Sequence, residues 1–592
     1  MKNWKTRVSM LGLAATMLLG TLTSCANPAG DTNSGSGGSG STSGGGATSA
    51  GTTEGARALT VLLEQSNGWT QNFNPFIQGA NQYTTGFIFE PLVIYDAYTQ
   101  EEIMWLAEEI ITEPDNRTLT IKVRQDIQWS DGEQFDADDV VFNFTYSKDK
   151  PAIDSSGNWA HGDDPGKIES VNKIDDYTLE IVMIEENRFH RSTLFFQNWM
   201  VPEHIWSEID NPENYVYNVD NPVATGAFTE VVSFASEMVV LGRNPHYWKG
   251  EELEVDELHC PQFNSNDAAL TLLQTGSIDW AHIFIANIED TYIQGDANKQ
   301  YWYGKSNVSR LSTNFQTPDP GNNEAFNDPA FKQAMSMAID RVGLINSAIH
   351  GYLSTDVPTN SGLPANLVAY ANPEAVSYMA PYVEYNLQGA IDLLAEAGYV
   401  DIDGDGYVET PSGLPIEFDI VSPAGWTDWN DGATIAAEGM RAVGINASSN
   451  AKDLSLVTQH WSAGDWDVMY SSNGNNTDIY RFYYDTIGDT SRAFTSTWWT
   501  VCQTNYVNDE LSALIAQLPT ATTDAEVSEI TNEVEMFMAE NMINIPLYYQ
   551  GNWFVFNDAR FTGWSATESD GQPALAQHDS KILQLLRLKA VD

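Results

Sequence analysis

The sequence predicts a mixed α/β protein with two or three domains. Segments with the alternating apolar pattern of half-buried strands lie between segments with the apolar spacing and capping residues of helices. The chain has 592 residues, which is more than a single hydrophobic core usually serves. No fixed-period repeat occurs, and this argues against solenoids and propellers.

Two strands and three helices are predicted directly from local patterns. Residues 119–123 and 179–183 alternate apolar and polar side chains, as half-buried strands do. Asp136 is expected to cap a helix that begins with acidic residues. Further helices are predicted from 327 to 351 and from 386 to 398, because each starts with a capping residue and stops at glycine.

The first 25 residues have the organisation of an export signal. A basic start precedes an apolar run over residues 10–20, which is too short to cross a bilayer, and the tetrapeptide Leu-Thr-Ser-Cys at 22–25. This tetrapeptide resembles a bacterial lipobox, in which Cys25 is acylated and becomes the new N-terminus. The alternative is an ordinary secretory signal with an incidental cysteine.

Residues 26–56 are predicted to form a flexible linker. They are almost wholly Gly, Ser, Thr, Ala and Asn, without apolar periodicity. A tether of about 30 such residues spans roughly 30 Å. With a lipid on Cys25, it would hold the folded part near a membrane but leave it free to move.

Composition excludes several classes of partner. The net charge of −53, from 28 basic and 81 acidic residues, disfavours nucleic acid and anionic lipid headgroups. Beyond Cys25 only Cys260 and Cys502 remain, so a disulfide framework is not expected, although a single bridge stays open. No HExxH or CxxC pattern indicates a catalytic metal.

Eleven segments resemble, in order, one bacterial family. They are FNPF at 73–76, FEPL at 89–92, WLAE at 105–108, VRQDIQWSDGE at 123–133, FDADDV at 135–140, VPEHIW at 201–206, NPVATG at 221–226, RNPHYW at 243–248, GSID at 276–279, AMSMAIDR at 334–341 and LLAEAGY at 393–399. The family is the family 5 extracellular solute-binding proteins, the oligopeptide- and dipeptide-binding components of bacterial ABC importers. The segment around Trp129 is the most specific of these.

The resemblance implies a two-lobed periplasmic-binding-protein fold of type II, cluster C-like, with an extra inserted domain. A discontinuous lobe I is expected at 57–95, 218–305 and 545–592, the inserted domain at 96–217, and lobe II at 306–544. The lobes are expected to close on a ligand by a hinge.

The resemblance also implies a function. We expect a monomeric, non-enzymatic subunit that captures oligopeptides and delivers them to ABC permease subunits with their ATPases. It would act at the outer face of the cytoplasmic membrane or in the periplasm, held by its lipid, without a required cofactor. Open alternatives are β-linked oligosaccharides as the ligand, a ligand-sensing lipoprotein, and a secreted glycoside hydrolase.

In peptide-binding members of this family, an Asp of the second lobe pairs with the ligand's amino group. The matching segment begins at Asp467, and its spacing places Asn476 at the anchor, with Asp478 as a substitute and Asn473 nearby. A neutral amide cannot balance an ammonium but bonds hydroxyls well. The spacing therefore keeps an oligosaccharide ligand open.

Aromatic residues give further candidates for ligand contact. Trp426 and Trp429 could stack on sugar rings, or they could pack inside a lobe. Trp280 and His282 lie near the expected hinge and are candidates for the cleft lining. Asn307 is a further candidate.

Residues 401–409 resemble the start of a calcium loop. Oxygen ligands at positions 1, 3, 5, 7 and 9, with Gly406 at position 6, suit a hard cation. The candidate ligands of this structural calcium are Asp401, Asp403, Asp405, Tyr407 and Glu409. Position 12 is Ser412 rather than Glu, so an acidic turn without a metal is the alternative.

Overall fold

The computed structural model describes residues 55–77, 80–96, 101–154, 157–161, 166–195, 198–354, 356, 362–472, 477–487, 504–565 and 580–591. The predicted signal with Cys25, nearly all of the predicted linker, Asn473, Asn476 and Cys502 lie outside these ranges. None of the described helices is long and apolar enough to cross a membrane.

The described strands follow one another along the whole chain. They are β1 (Ala58–Leu62), β2 (Val93–Asp96), β3 (Glu101–Met104), β4 (Ala107–Thr112), β5 (Thr118–Val123), β6 (Ile168–Asp175), β7 (Thr178–Met183), β8 (Phe228–Ala235), β9 (Met238–Arg243), β10 (Glu257–Pro261), β11 (Trp280–His282), β12 (Lys299–Thr313), β13 (Glu417–Pro423), β14 (Asn446–Lys452), β15 (Val468–Ser472), β16 (Ile545–Asn557), β17 (Phe561–Thr562) and β18 (Lys589–Ala590). The strands predicted at 119–123 and 179–183 are β5 and β7, which pair antiparallel.

Helices alternate with these strands and predominate in the C-terminal half. They are α1 (Ala137–Tyr146), α2 (His190–Phe195), α3 (Glu203–Trp206), α4 (Asn266–Gln274), α5 (Pro320–Phe326), α6 (Pro329–Met337), α7 (Arg341–Ser347), α8 (Pro373–Val383), α9 (Leu387–Glu396), α10 (Thr427–Ala442), α11 (Leu454–Ala463), α12 (Ile479–Thr486), α13 (Asp509–Ile515), α14 (Asp524–Glu540) and α15 (Lys581–Arg587). The predicted mixed α/β class is thus confirmed.

The single helix predicted over 327–351 is wrong, because the chain forms two helices there. α6 ends at Met337, and Asp340 then caps α7 by accepting a hydrogen bond from the Gly343 amide at 2.8 Å. An Asp competes with the backbone for such bonds and favours a new helix start. The cap at Asp136 and the helix beginning after Asn386 are confirmed.

One ten-stranded sheet forms the framework, in the order β14-β13-β15-β12-β16-β11-β1-β10-β9-β8. We call the part around β1 and β8–β11 lobe I and the part around β13–β15 lobe II. The long strands β12 and β16 belong to both parts and pair along most of their length. The residue boundaries predicted for the domains stay a prediction.

A separate sheet has four strands in the order β4-β5-β7-β6. The most specific segment of the sequence, residues 123–133, begins at the last residue of β5 and continues beyond this sheet. Trp129 is fully buried, and its indole Nε1 donates to the Asp139 carboxylate at 3.0 Å. Asp139 lies in the first turn of α1, where the capping box with Asp136 also forms. The hydrogen bond therefore fixes the turn at 129–132 to the start of the helix.

Candidate ligand-binding cleft

The strands β12 and β16, which belong to both lobes, pair with a register shift of the β-bulge type. β12 and β16 pair in register from Lys299 to Lys305, and the register shifts between Lys305 and Val308. A bulge bends a strand and redirects a side chain. The half-buried Asn307 lies within this shift, so the structure places this candidate at the crossing between the lobes.

Loops from the two lobes meet in a set of hydrogen bonds that we call the latch. Lobe I contributes Gln65 and Asn266, and lobe II contributes Gly425, Trp426 and Thr427. The Trp426 indole Nε1 donates to the Gln65 side-chain oxygen. The Asn266 amide donates to the Gly425 carbonyl at 3.0 Å, and the Asn266 side chain donates to the Thr427 hydroxyl at 3.1 Å. These bonds link the ends of β1 and β10 with the end of β13.

Gly425 permits this close approach. Its φ is +86°, a conformation that L side chains rarely adopt. A Cβ added here would lie 2.8 Å from the Ser265 Cβ and 3.1 Å from the Asn264 carbonyl oxygen. A larger residue at this position would therefore push the two loops apart.

Only one of the two tryptophans predicted as a stacking platform has an accessible ring. Trp426 is half-buried, whereas Trp429 is 1% exposed. The rings meet edge to face at 4.8 Å, and Trp429 packs on Tyr470 at 5.2 Å. Trp429 is buried because it lies on the inner face of α10, which begins at Thr427. Packing inside the lobe, the alternative stated above, describes its position.

Trp280 likewise lies in a hydrophobic core rather than on the cleft surface. It is fully buried in β11, and its ring packs against Trp564 at 6.0 Å. His282, two residues further along the strand, is half-buried and pairs in register with Phe554 of β16. Of these two candidates, His282 is therefore the one with accessible surface.

A second contact with lobe II, made by the β2–β3 sheet and α2, contains a pocket beside Asp478. The Tyr95 hydroxyl in β2 donates to the Thr477 carbonyl at 2.6 Å. The pocket is shallow and open to solvent, with room for about one water molecule. Its lining residues are Val93, Tyr95, Glu102, Arg191, Ser192, Phe195 and Thr477. Arg191 Nε donates to the Glu102 carboxylate at 2.6 Å, so a cation and an anion stand paired at the pocket wall.

Asp478 combines a predicted ligand role with a structural one. It caps α12, with its Oδ1 accepting from the Arg481 amide at 2.7 Å. Burial of the Tyr95 hydroxyl raises the pKa of Tyr95, and the nearby charge of Asp478 raises it further. Asp478 is therefore next to the pocket, but one of its oxygens already serves the helix.

Two carboxyls border the latch, that of the buried Asp428 and that of the half-buried Glu64. Burial raises the pKa of Asp428, in the first turn of α10, to about 7, and Asn266 approaches its Oδ1 at 3.5 Å. Burial also raises the pKa of Glu64, at the end of β1, to about 7, although its Oε1 accepts from the Gln82 amide at 2.9 Å. Burial is the largest cause of the raised pKa in both groups.

Sequence reasoning missed Glu64, Gln65, Tyr95 and Arg191. Glu64 and Gln65 directly follow β1, and clefts of α/β proteins form at the carboxyl ends of strands. A strand was not predicted over residues 58–62; such a prediction could have indicated Glu64 and Gln65 as cleft candidates. Tyr95 and Arg191 meet only through tertiary packing, which the local sequence does not encode.

The acidic loop brings its three aspartates together at the surface. Carboxylate oxygens of Asp401, Asp403 and Asp405 lie within 4.8 Å of one another, and all three residues are exposed. Asp401 accepts from the amides of Gly404 and Gly406 at 2.7 and 3.0 Å. Glu409 is buried and accepts from the Ile402 amide at 2.7 Å, and the half-buried Tyr407 follows the loop.

Comparison with known proteins shows the family. A profile of bacterial extracellular solute-binding proteins, family 5, middle region, matches residues 101–494. The chain therefore belongs to the family 5 bacterial extracellular solute-binding proteins, as its sequence predicts.

Individual relatives differ in the ligands that their names state. The oligopeptide-binding protein AppA of Bacillus subtilis is 23% identical over 459 residues, which cover 76% of this chain and 78% of AppA. The periplasmic alpha-galactoside-binding protein of Rhizobium meliloti is 28% identical over 367 residues, covering 55% of this chain and 50% of that protein.

Solved structures show the same fold. A periplasmic oligopeptide-binding protein of an oligopeptide ABC transporter from Thermotoga maritima, crystallised with mannohexaose, superposes with a TM-score of 0.81 at 23% identity. The match covers 91% of this chain and 99% of that structure. The predicted two-lobed type II binding-protein fold is thus confirmed.

Proposed function

We propose that this chain is the ligand-capturing subunit of an ABC importer and that it binds oligopeptides between its lobes for delivery to a permease. The observation that carries this proposal is the family membership together with a cleft whose two sides meet at the latch and at the Tyr95–Thr477 contact. AppA, whose name states oligopeptide binding, supports the peptide ligand. The proposal includes no catalytic step.

A β-linked oligosaccharide is the second candidate ligand. The half-buried ring of Trp426 offers a surface of the kind on which sugar rings stack. The Thermotoga structure was solved with mannohexaose, which supports an oligosaccharide ligand. The Rhizobium relative is named for alpha-galactosides, so it supports a sugar ligand but not a β-linkage. The capping role of Asp478 also leaves this carboxylate less suited to an ammonium partner.

Thermal shift against two ligand panels decides between these candidates. A ligand present at about 100 times its Kd adds roughly 2.7 kcal/mol to the free energy of unfolding. Short peptides should raise the Tm if the proposal holds, and β-linked oligosaccharides alone should raise it if the second candidate holds. Loss of labelled-ligand uptake after gene deletion would separate import from ligand sensing.

We propose that Cys25 carries a lipid that anchors the protein on the outer side of the cytoplasmic membrane. A Cys25→Ser variant should leave the membrane fraction and enter the soluble fraction, because it lacks the thiol that is acylated. A Ser24→Ala variant, which keeps the thiol, serves as the control. Membrane retention of Cys25→Ser would contradict the anchor.

We also propose that the loop over 401–409 binds a structural calcium ion. Three carboxylates within 4.8 Å suit a hard cation, and binding to the folded state alone would stabilise it. We expect calcium to raise the Tm and EDTA to reverse this effect. The variant Asp403→Asn should respond less to calcium, and a chelator that leaves the wild-type Tm unchanged would remove the site.

A further inference from the structure

Arg310 is a charged side chain enclosed in the middle of lobe II. It lies in β12, directly opposite Ser471 of β15 and Pro546 of β16, and is 0% exposed. Burial lowers the pKa of its guanidinium to about 9, so the group remains protonated at neutral pH. A full positive charge therefore stands inside the fold.

Within the described part of the chain, neither Nε nor either terminal nitrogen of Arg310 has a partner. Isolating a buried ion without an acceptor costs several kcal/mol, and buried polar groups in proteins are rarely left so. The guanidinium therefore requires a group that accepts hydrogen bonds and carries negative charge.

Arg341, in the same lobe, is a buried arginine whose guanidinium nitrogens all donate hydrogen bonds, and it serves as a comparison for Arg310. It is 2% exposed, and its nitrogens donate to the carbonyls of Pro546, Ser336 and Val383 at 2.8, 2.8 and 3.0 Å. It also donates to the Ser336 hydroxyl at 2.7 Å. The contrast shows that the unpartnered state of Arg310 is not a general feature of buried arginines here.

Two hydroxyl groups share the sheet face of Arg310. Residues paired across strands and residues two positions apart lie on one face, which places Ser471 and Ser312 beside Arg310. Their hydroxyl oxygens are 2.8 Å apart, and either one is able to act as the donor. A hydroxyl has one hydrogen and rotates to suit its partner, so while the two hydroxyls bond each other this face supplies one further O–H donor in addition to the guanidinium.

We propose that Arg310, with the hydroxyls of Ser312 and Ser471, forms an internal binding site for a small monovalent inorganic anion such as chloride. Full enclosure excludes a polymeric ligand, which distinguishes this site from the cleft. Neighbouring side chains must shift to admit the ion. The site goes beyond the proposed function and does not depend on it.

Anion-dependent stability of the full-length protein tests the site. At constant ionic strength, replacing gluconate with chloride or bromide should raise the wild-type Tm in a saturable manner, by about 1–3 °C. Arg310→Met should lose this response and, in gluconate, should match or exceed the wild-type Tm because no uncompensated charge remains. Arg117→Met, which alters a surface pair with Glu169, should keep the response.

Crystals soaked in bromide give a readout that needs no variant. The proposal expects an anomalous peak within hydrogen-bond distance of the Arg310 guanidinium. It is overturned if such crystals show no peak there. It is equally overturned if the halide response persists in Arg310→Met, or if the wild-type Tm is the same in gluconate and chloride.

Discussion

Replacing Arg341 with methionine is expected to lower the free energy of unfolding by about 3–5 kcal/mol. Its guanidinium joins three elements, because it bonds the end of α6, the end of α8 and β16. Methionine keeps most of the volume but leaves three buried carbonyls without this donor. Denaturant unfolding, followed by circular dichroism, measures the change.

The same substitution at Arg310 is the matched control for this expectation. Both side chains are enclosed in lobe II, but among the residues that the structure describes the Arg310 nitrogens have no hydrogen-bond partner. In a halide-free buffer, Arg310→Met should therefore unfold no more easily than the wild type. A loss below about 1 kcal/mol for Arg341→Met would contradict the role assigned to its hydrogen bonds.

Elements whose signals are local could be predicted from the sequence. The strands β5 and β7 alternate strictly, and α1 starts with a capping box at Asp136. The break between α6 and α7 was missed because the apolar period continues through it, while the Asp340 cap decides the structure. Local pattern and local capping conflict there, and the cap prevails.

The candidate cleft depends on contacts between residues far apart in the chain. Tyr95 meets Thr477 across 382 positions of the chain, and Gln65 meets Trp426 across 361 positions. The sequence indicated that Trp426 and Trp429 could contact a ligand, but it could not show that Trp429 is buried whereas Trp426 keeps exposed surface. That distinction follows from the start of α10 at Thr427, which turns the later residue inward.

Trp426→Ala is expected to raise the Kd of the ligand identified by thermal shift about 10- to 100-fold. The substitution removes the hydrogen bond to Gln65 and the half-buried ring at the meeting point of the lobes. If the proposed closure on the ligand occurs, destabilising the closed arrangement lowers the apparent affinity. Isothermal titration calorimetry measures the effect.

Two further variants separate the sources of this loss. Trp426→Phe keeps an aromatic face but lacks the Nε1 donor, so it should raise the Kd about two- to tenfold, the value of one hydrogen bond. Trp429→Phe removes an indole that is 1% exposed, and it should lower stability while leaving the Kd unchanged. If Trp426→Ala binds as tightly as the wild type, the latch neither contacts the ligand nor controls closure, and the Tyr95–Thr477 side of the cleft must supply the affinity.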